Sequence, residues 1–258
     1  MKKSLIGVLI LLLLFTMMSC KGNNKNTNND GLEASLAASE QNTSRGSNNR
    51  IDNIDGLKAF LAASEQNTLN NPFNISMKLG YGTDLSEVRQ IIDDFRRYVN
   101  LDFSESLELT SIDSFQECEY LVGIVIPRNV ATIGRRSFSY CSNLTSVIIE
   151  NGVKEISSSA FASTKFTRIT IPESVTYIGA RAFESFELTS ITFQGANTEL
   201  GYDEDTYQGT VYRYNAFLGD LAEKYKAGGI GTYTMTMTDG VGTFTMGMTD
   251  DIFIWTKQ

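Results

Sequence analysis

Phe115, Phe138, Phe161 and Phe183 fall 23, 23 and 22 residues apart, and the apolar residues around them keep the same period. Leu101, Ile124, Val147, Ile169 and Ile191 form one column. Phe103, Ile126, Ile149, Ile171 and Phe193 form the next. Val130, Val153 and Val175 follow, then Ile133, Ile156 and Ile178, while Tyr98, Leu121, Leu144, Phe166 and Leu188 open each unit. A unit this short cannot bury its apolar face alone; stacking the units makes one continuous core. The phase agreement of five columns therefore restricts the chain to a solenoid, with the four phenylalanines as a structural core.

Each unit reads in order. "LTSVII" and "FTRITI" alternate apolar and polar residues, as strands with one face inward do. One short strand per unit of 20 to 29 residues is the pattern of a leucine-rich-repeat solenoid, with successive strands parallel. Pro127 and Pro172 follow the strand, where they would cost no ladder donor. Gly134 and Gly179 are read as tight-turn residues. Ser137, Ala160 and Ala182 put a small residue beside each ring.

The stretches "LVGIVIPRNVATIGRRSFSYCSNLTSVII" and "FTRITIPESVTYIGARAFESF" resemble the BspA-type leucine-rich repeats of bacterial surface proteins, over residues 98–200. Glu150 stands where Pro127 and Pro172 stand, Ser157 replaces the turn glycine, and Phe186 replaces Cys118 and Cys141. "AFLGDLAEKYKAGGIGTYT" and the final "WTKQ" resemble a tail of spirochaete lipoproteins in that group. The resemblance implies a protein-binding module, with adhesion to host matrix or cells as the family's association.

The ends are read as caps around the repeats. Residues 1–19 have a basic start (Lys2, Lys3) and an apolar run from Leu5 to Phe15, the form of a signal peptide. "MMSC" resembles a bacterial lipobox, which makes Cys20 the lipidated first residue of the mature chain and places it at the outer membrane or cell surface. The alternative is an ordinary secretory signal cut near Cys20. Residues 20–54 are Asn-rich and read as a flexible tether. Within it "GLEASLAASEQNT" recurs 25 residues later as "GLKAFLAASEQNT". Residues 55–97 read as an α/β cap. There, Asn74 to Leu79 is a strand, Asp84 with Glu87 caps a helix, and Leu85, Val88, Ile91, Ile92 and Phe95 form its apolar stripe. In residues 201–258 a helix from Ala216 to Ala227 ends at Gly228 and Gly229. A hairpin turning at Asp239-Gly240 follows. Asn197 to Tyr214 is a polar, Tyr-rich insertion.

Composition narrows the functional classes. The net charge is −8, and loss of two lysines with residues 1–19 makes it −10, unfavourable for nucleic acid. No histidine is present, which removes the commonest general base and metal ligand. No nucleophile elbow, phosphate loop or metal-spaced cluster is visible, so neither an enzyme nor a cofactor or metal is expected. Asp203, Glu204 and Asp205 read as a solvated acidic loop. Asp93 and Asp94 read as exposed helix carboxylates, and Met235, Met237, Met246 and Met248 as one sheet face. Cys118 and Cys141 read as buried, stacked thiols.

Two readings of function stay open: a lipid-anchored protein-binding surface module, or a structural component of the bacterial envelope docking onto another bacterial protein. For the first, register places Asp102, Val125, Ile148, Thr170 and Thr192 outward between the core columns. Arg168 and Ser190 lie two residues upstream of the last two. Val125 and Ile148 should be neighbours on that face. The oligomeric state is not legible.

Overall fold

The computed structural model describes residues 49–207, 210–237 and 253–258. Strand β1 (Asn49–Ile51), helix α1 (Ile54–Ala63), strand β2 (Phe73–Met77), helix α2 (Leu85–Phe95) and strand β3 (Val99–Asp102) lead into the repeats. β1 begins inside the segment read as a tether. Ile51 is buried, and Asn53 caps α1 by accepting from the Gly56 amide at 2.8 Å, so ordered structure starts before residue 54. In α2 the stripe Leu85, Val88, Ile91 and Ile92 is buried, with Phe95 half-buried. Asp84 caps it through the Ser86 amide at 2.8 Å.

Each repeat then contributes two strands on opposite sides of a coil. The long ones are β5 (Leu121–Ile126), β7 (Ser146–Ile149), β9 (Arg168–Ile171) and β11 (Ser190–Phe193). The short ones are β4 (Ser111–Ile112), β6 (Thr132–Ile133), β8 (Glu155–Ile156), β10 (Tyr177–Ile178) and β12 (Glu199–Leu200). The short strands make a five-stranded parallel sheet of their own, through which the isoleucines at 112, 133, 156 and 178 stack. The two-residue pieces were expected only as a column, because alternation needs more than two residues to show.

Between the two sheets runs the ring ladder. Phe115 stacks on Phe138 at 5.5 Å, Phe138 on Phe161 at 5.1 Å, and Phe161 on Phe183 at 5.3 Å, all within 14° of parallel. Every ring is at most 1% exposed. Amides bind the coils at this corner, Phe138 N–H to Ala160 O at 2.8 Å and Phe161 N–H to Ala182 O at 2.8 Å. The turns nearby hold non-glycine residues at positive φ: Ser114, Arg136, Ser159 and Arg181. The turn glycines have a different task from the one read in the sequence. Neither Gly134 nor Gly179 is at positive φ, and a Cβ on Gly179 would stand 2.5 Å from the Ser158 amide nitrogen. Close approach of neighbouring coils is what they permit.

Four details of register differ from expectation. Val99, not Tyr98, pairs with Leu121, because β5 carries an extra residue opposite the Val99–Asn100 step. Tyr98 is half-buried instead, against Tyr120 at 5.2 Å. The long-strand sheet is not continuous: β1-β2-β3-β5-β7 form one sheet, and β9 and β11 belong to another. Glu150 and Gln194 each donate their amide to the preceding coil, to Ile126 O and Ile171 O, both at 3.0 Å. Pro172 occupies that position at the β7–β9 boundary and has no amide to give, so the proline does cost a donor. In the last coil Ser185 is buried, donating to Thr164 O at 2.8 Å, while Phe186 points out and is 58% exposed, against Phe253. Thr164, at the same place in the preceding coil, is buried, so the outward turn belongs to this last coil alone.

The ladder does not end at Phe183. Phe217 stacks on it at 4.9 Å and 4°. From Gly201 to Phe217 the chain takes 12 more residues than from Gly179 to Phe183, and these form a hairpin, β13 (Tyr202–Tyr207) with β14 (Thr210–Asn215). The insertion hid Phe217 from the period. It also moves the helix: Ala216 and Phe217 complete a coil, and α3 runs Leu221–Gly228. The acids 203, 204 and 205 lie on strand β13, not in a loop.

Strand β15 (Gly231–Met237) then runs antiparallel to β11, and β16 (Phe253–Lys257) antiparallel to β15. The strand beside β15 is residues 253–257; Asp239 and Gly240, read as the turn of the hairpin, lie outside the described residues. The outer edge of β16 is occupied: the Trp255 amide donates to Asp220 Oδ1 at 2.9 Å and its indole N–H to Leu218 O at 2.8 Å. Covering an edge strand in this way prevents end-to-end pairing. Tyr225 of α3 packs on Phe193 at 4.1 Å.

Candidate protein-binding face

The outward positions of the long strands are set by strand alternation: Leu101, Ile124, Ile169 and Ile191 point into the coil, so their neighbours point out. Asp102 pairs with Val125 and Val125 with Ile148, forming one row across β3, β5 and β7. Arg168 pairs with Ser190 and Thr170 with Thr192, forming two short rows across β9 and β11. All seven candidate residues thus lie on outward positions. The break between β7 and β9 divides them into two groups.

The first group has an apolar centre. Ile148 is 44% exposed and Val125 is half-buried, so the aliphatic patch is narrower than two fully exposed side chains would make. Asp102 serves its own turn, accepting from the Ser104 amide at 2.9 Å. Beside this row runs a polar one, Asn74, Asn100, Gly123 and Ser146, in register. Asn100 donates to Asn74 Oδ1 at 2.8 Å, and its own side-chain oxygen would lie 2.6 Å from a Cβ at position 123, so glycine leaves this asparagine pair its place. Neither asparagine was singled out in the sequence, although both fall on the outward alternation of their strands.

The second group continues onto β15. Thr192 pairs with Thr232, their hydroxyls 2.9 Å apart, and Ser190 pairs with Thr234. The face here is Thr170, Thr192 and Thr232 beside Arg168, Ser190 and Thr234. Its last strand was read as a separate hairpin. The "YTMTMT" alternation was the signal for it, with Tyr233 buried on one side and threonines on the other.

Nothing on either patch resembles a reaction centre, and among the described residues no group of three His, Cys, Asp or Glu could hold a metal ion. The perturbed titratable groups lie elsewhere. Asp93 is half-buried, not exposed, between Arg89 at 2.9 Å and the Cys118 thiol at 3.6 Å. Burial pushes its carboxyl up, and Arg89 opposes the shift. Cys141 donates to Phe115 O at 3.0 Å. Burial pushes the Cys141 thiol up to about 12, and burial together with the Asp93 charge raises Cys118 further. A thiolate is the reactive species, so both cysteines should resist alkylation in the folded chain. Mass spectrometry after iodoacetamide treatment is expected to show neither labelled below the unfolding transition and both above it. Labelling in the native state, or a Cys118–Cys141 bridge without reductant, would contradict this arrangement.

The repeats have a match among known families. A family model described as BspA type leucine-rich repeat region matches residues 95–208 in six copies. Residues 95–208 are a BspA-type leucine-rich repeat region. Among solved structures, this chain is similar to a leucine-rich repeat protein from Bacteroides ovatus, at 29% identity and a TM-score of 0.36. That match covers 49% of this chain and 31% of the other. A leucine rich cell surface protein from Faecalibacterium prausnitzii is similar at 20% identity and a TM-score of 0.29, covering 54% of this chain and 49% of that one. The chain thus spans about a third and about half of their lengths. No curated protein matches it. Cys20 lies outside the described residues, and no described helix is long and apolar enough to cross a membrane.

Proposed function

We propose that this chain is a lipid-anchored protein of the bacterial surface that binds other proteins through the outward face of its BspA-type repeats, with host matrix or host cells as the target. Leucine-rich repeats in general bind proteins, and a broad, shallow face suits a protein partner better than a small molecule. The observation that supports it most is the Val125–Ile148 pair, adjacent aliphatic side chains at outward positions of a polar strip. Exposed apolar groups set in a polar rim mark contact surfaces. Arg168, Thr170, Ser190 and Thr192 extend the face with hydrogen-bonding groups, and Asp102 closes its other end.

A pull-down from host matrix proteins and from bacterial envelope extract, with the chain from Lys21 onward, tests this reading. Capture of a matrix or host-cell protein is expected. Capture of an envelope protein alone would favour an assembly role, and survival of the protein on protease-treated intact cells would do the same. Anchoring is tested separately. Cys20→Ala is expected to move the chain from the detergent phase to the aqueous one, since the acyl chains would supply the membrane affinity. Continued partitioning into detergent would remove Cys20 as the anchor.

A further inference from the structure

The hairpin β13–β14 is not needed by the coil from which it emerges. It leaves between Gly201 and Asn215, at the corner where earlier coils carry the exposed Arg136 and the half-buried Ser159 and Arg181. The chain then rejoins the coil: Phe183 N–H donates to Ala216 O at 2.9 Å, as Phe138 and Phe161 donate to Ala160 and Ala182, while Arg181 N–H donates to Asn215 O at 2.8 Å, one position later than the acceptors of Arg136 and Ser159. Phe217 completes the ladder. An insertion that leaves the ring ladder in register is free to carry function.

Its structure is that of an open edge. The hairpin forms a sheet of two strands, and no described strand pairs with either outer side. Two-stranded hairpins are marginal on their own. This one is held at its base by side chains. Arg181 lies over the Tyr214 ring at 3.5 Å. Arg213 reaches Glu204 at 2.6 Å and lies over the Tyr202 ring at 4.5 Å. Tyr202 and Val211 are nonetheless 55% and 59% exposed. Along β13 the carboxylates of Asp203 and Asp205 are exposed, on the side of the strand opposite Glu204, with no basic side chain paired to either among the described residues.

We propose that β13 is a docking edge for an extended basic segment of a partner protein, which adds as a third strand. Backbone pairing along the free edge would give the affinity. Lysines or arginines at alternate positions of the incoming strand would face Asp203 and Asp205, and cross-strand pairs of opposite charge favour that register. This surface is separate from the face containing Val125 and Ile148, so the two can fail independently.

The test is fluorescence anisotropy with a labelled synthetic peptide in which lysine alternates with valine. The full chain is expected to bind it, more weakly as salt rises. Binding should be about fivefold to tenfold weaker for Asp203→Asn/Asp205→Asn, and absent when alternate peptide amides are N-methylated. Deleting residues 202–213, which joins Gly201 to Tyr214 where Gly179 joins Ala180, should abolish binding while the chain still unfolds in one cooperative transition. Val125→Glu/Ile148→Glu should leave peptide binding unchanged. Equal binding of a peptide with glutamate for lysine, undiminished binding by the deletion chain, or no binding of the lysine peptide would overturn the proposal.

Discussion

Phe161→Ala is expected to lower the stability of the repeat region by about 3–5 kcal/mol, the usual cost of removing a buried ring. Phe161 has a stacked ring on either side, at 5.1 and 5.3 Å, and Phe166 edge-on at 5.8 Å. Alanine there would open a cavity between two coils whose backbones are tied by N–H to carbonyl hydrogen bonds and cannot close over it. Phe138→Ala and Phe183→Ala should cost about the same. Phe115→Ala should cost less, since one of its ring neighbours, Phe103, is 6.3 Å away and tilted by 43°. Thermal unfolding measures this ordering, with a shift of roughly 2–4 °C per kcal/mol in a domain of this size. A Phe161→Ala chain melting within a degree of the parent would mean that the ladder is not the core.

The second large effect is at Gly152. A Cβ there would lie 1.7 Å from Arg128 O and 2.6 Å from its carbonyl carbon, both backbone atoms of the preceding coil. Its φ of 152° is one that side chains rarely adopt. Gly152→Ala must therefore push two coils apart or rebuild the turn, at a cost of about 3 kcal/mol or more when overpacking and backbone strain act together. The comparison is Gly82→Ala, also at positive φ but with nothing within 4 Å of the added carbon. Denaturant titration should show a much larger loss at Gly152. Equal losses would show that contact with the neighbouring coil is not what selects glycine at 152.

The contrast between these glycines illustrates what a sequence can and cannot disclose. Residues that repeat once per layer were legible, because stacking forces each column to keep one chemical character. The phenylalanine ladder and the inward isoleucines follow from that. Features that depend on a single coil were not. Gly134 and Gly179 were noticed, but which atoms approach them is a property of the neighbouring turn. Phe217 has the same Ala-Phe signature as Phe161 and Phe183, but 12 inserted residues took it out of phase. Phe186 sits in the aligned place of two cysteines, yet it is exposed while Thr164, at that place one coil earlier, is buried. The break between β7 and β9 left no mark in the sequence: Pro172 has no amide to give there, but Pro127 stands at the same repeat position and β3 and β5 still pair.

The candidate face was legible in the same uneven way. Alternation placed Asp102, Val125, Ile148, Thr170 and Thr192 outward because the inward columns leave them no other direction. Pairing of Val125 with Ile148 followed from the 23-residue spacing. The continuation of the threonine rows onto β15 did not, because an antiparallel strand joined from 40 residues away has no place in the period. The half-burial of Val125 depends on its neighbours in β3 and β7, and no single strand reports it.

The most direct measurement is the affinity of Val125→Glu/Ile148→Glu for the protein partner captured by the repeats, taken together with its melting temperature. Two carboxylates at the centre of the face should weaken binding at least about tenfold, or ~1.4 kcal/mol. Both side chains point away from the core, so the chain should stay folded, with a modest fall in melting temperature because the new carboxylates at 125 and 148 stand in one row with Asp102. Unchanged affinity at unchanged stability would contradict a binding role for this face.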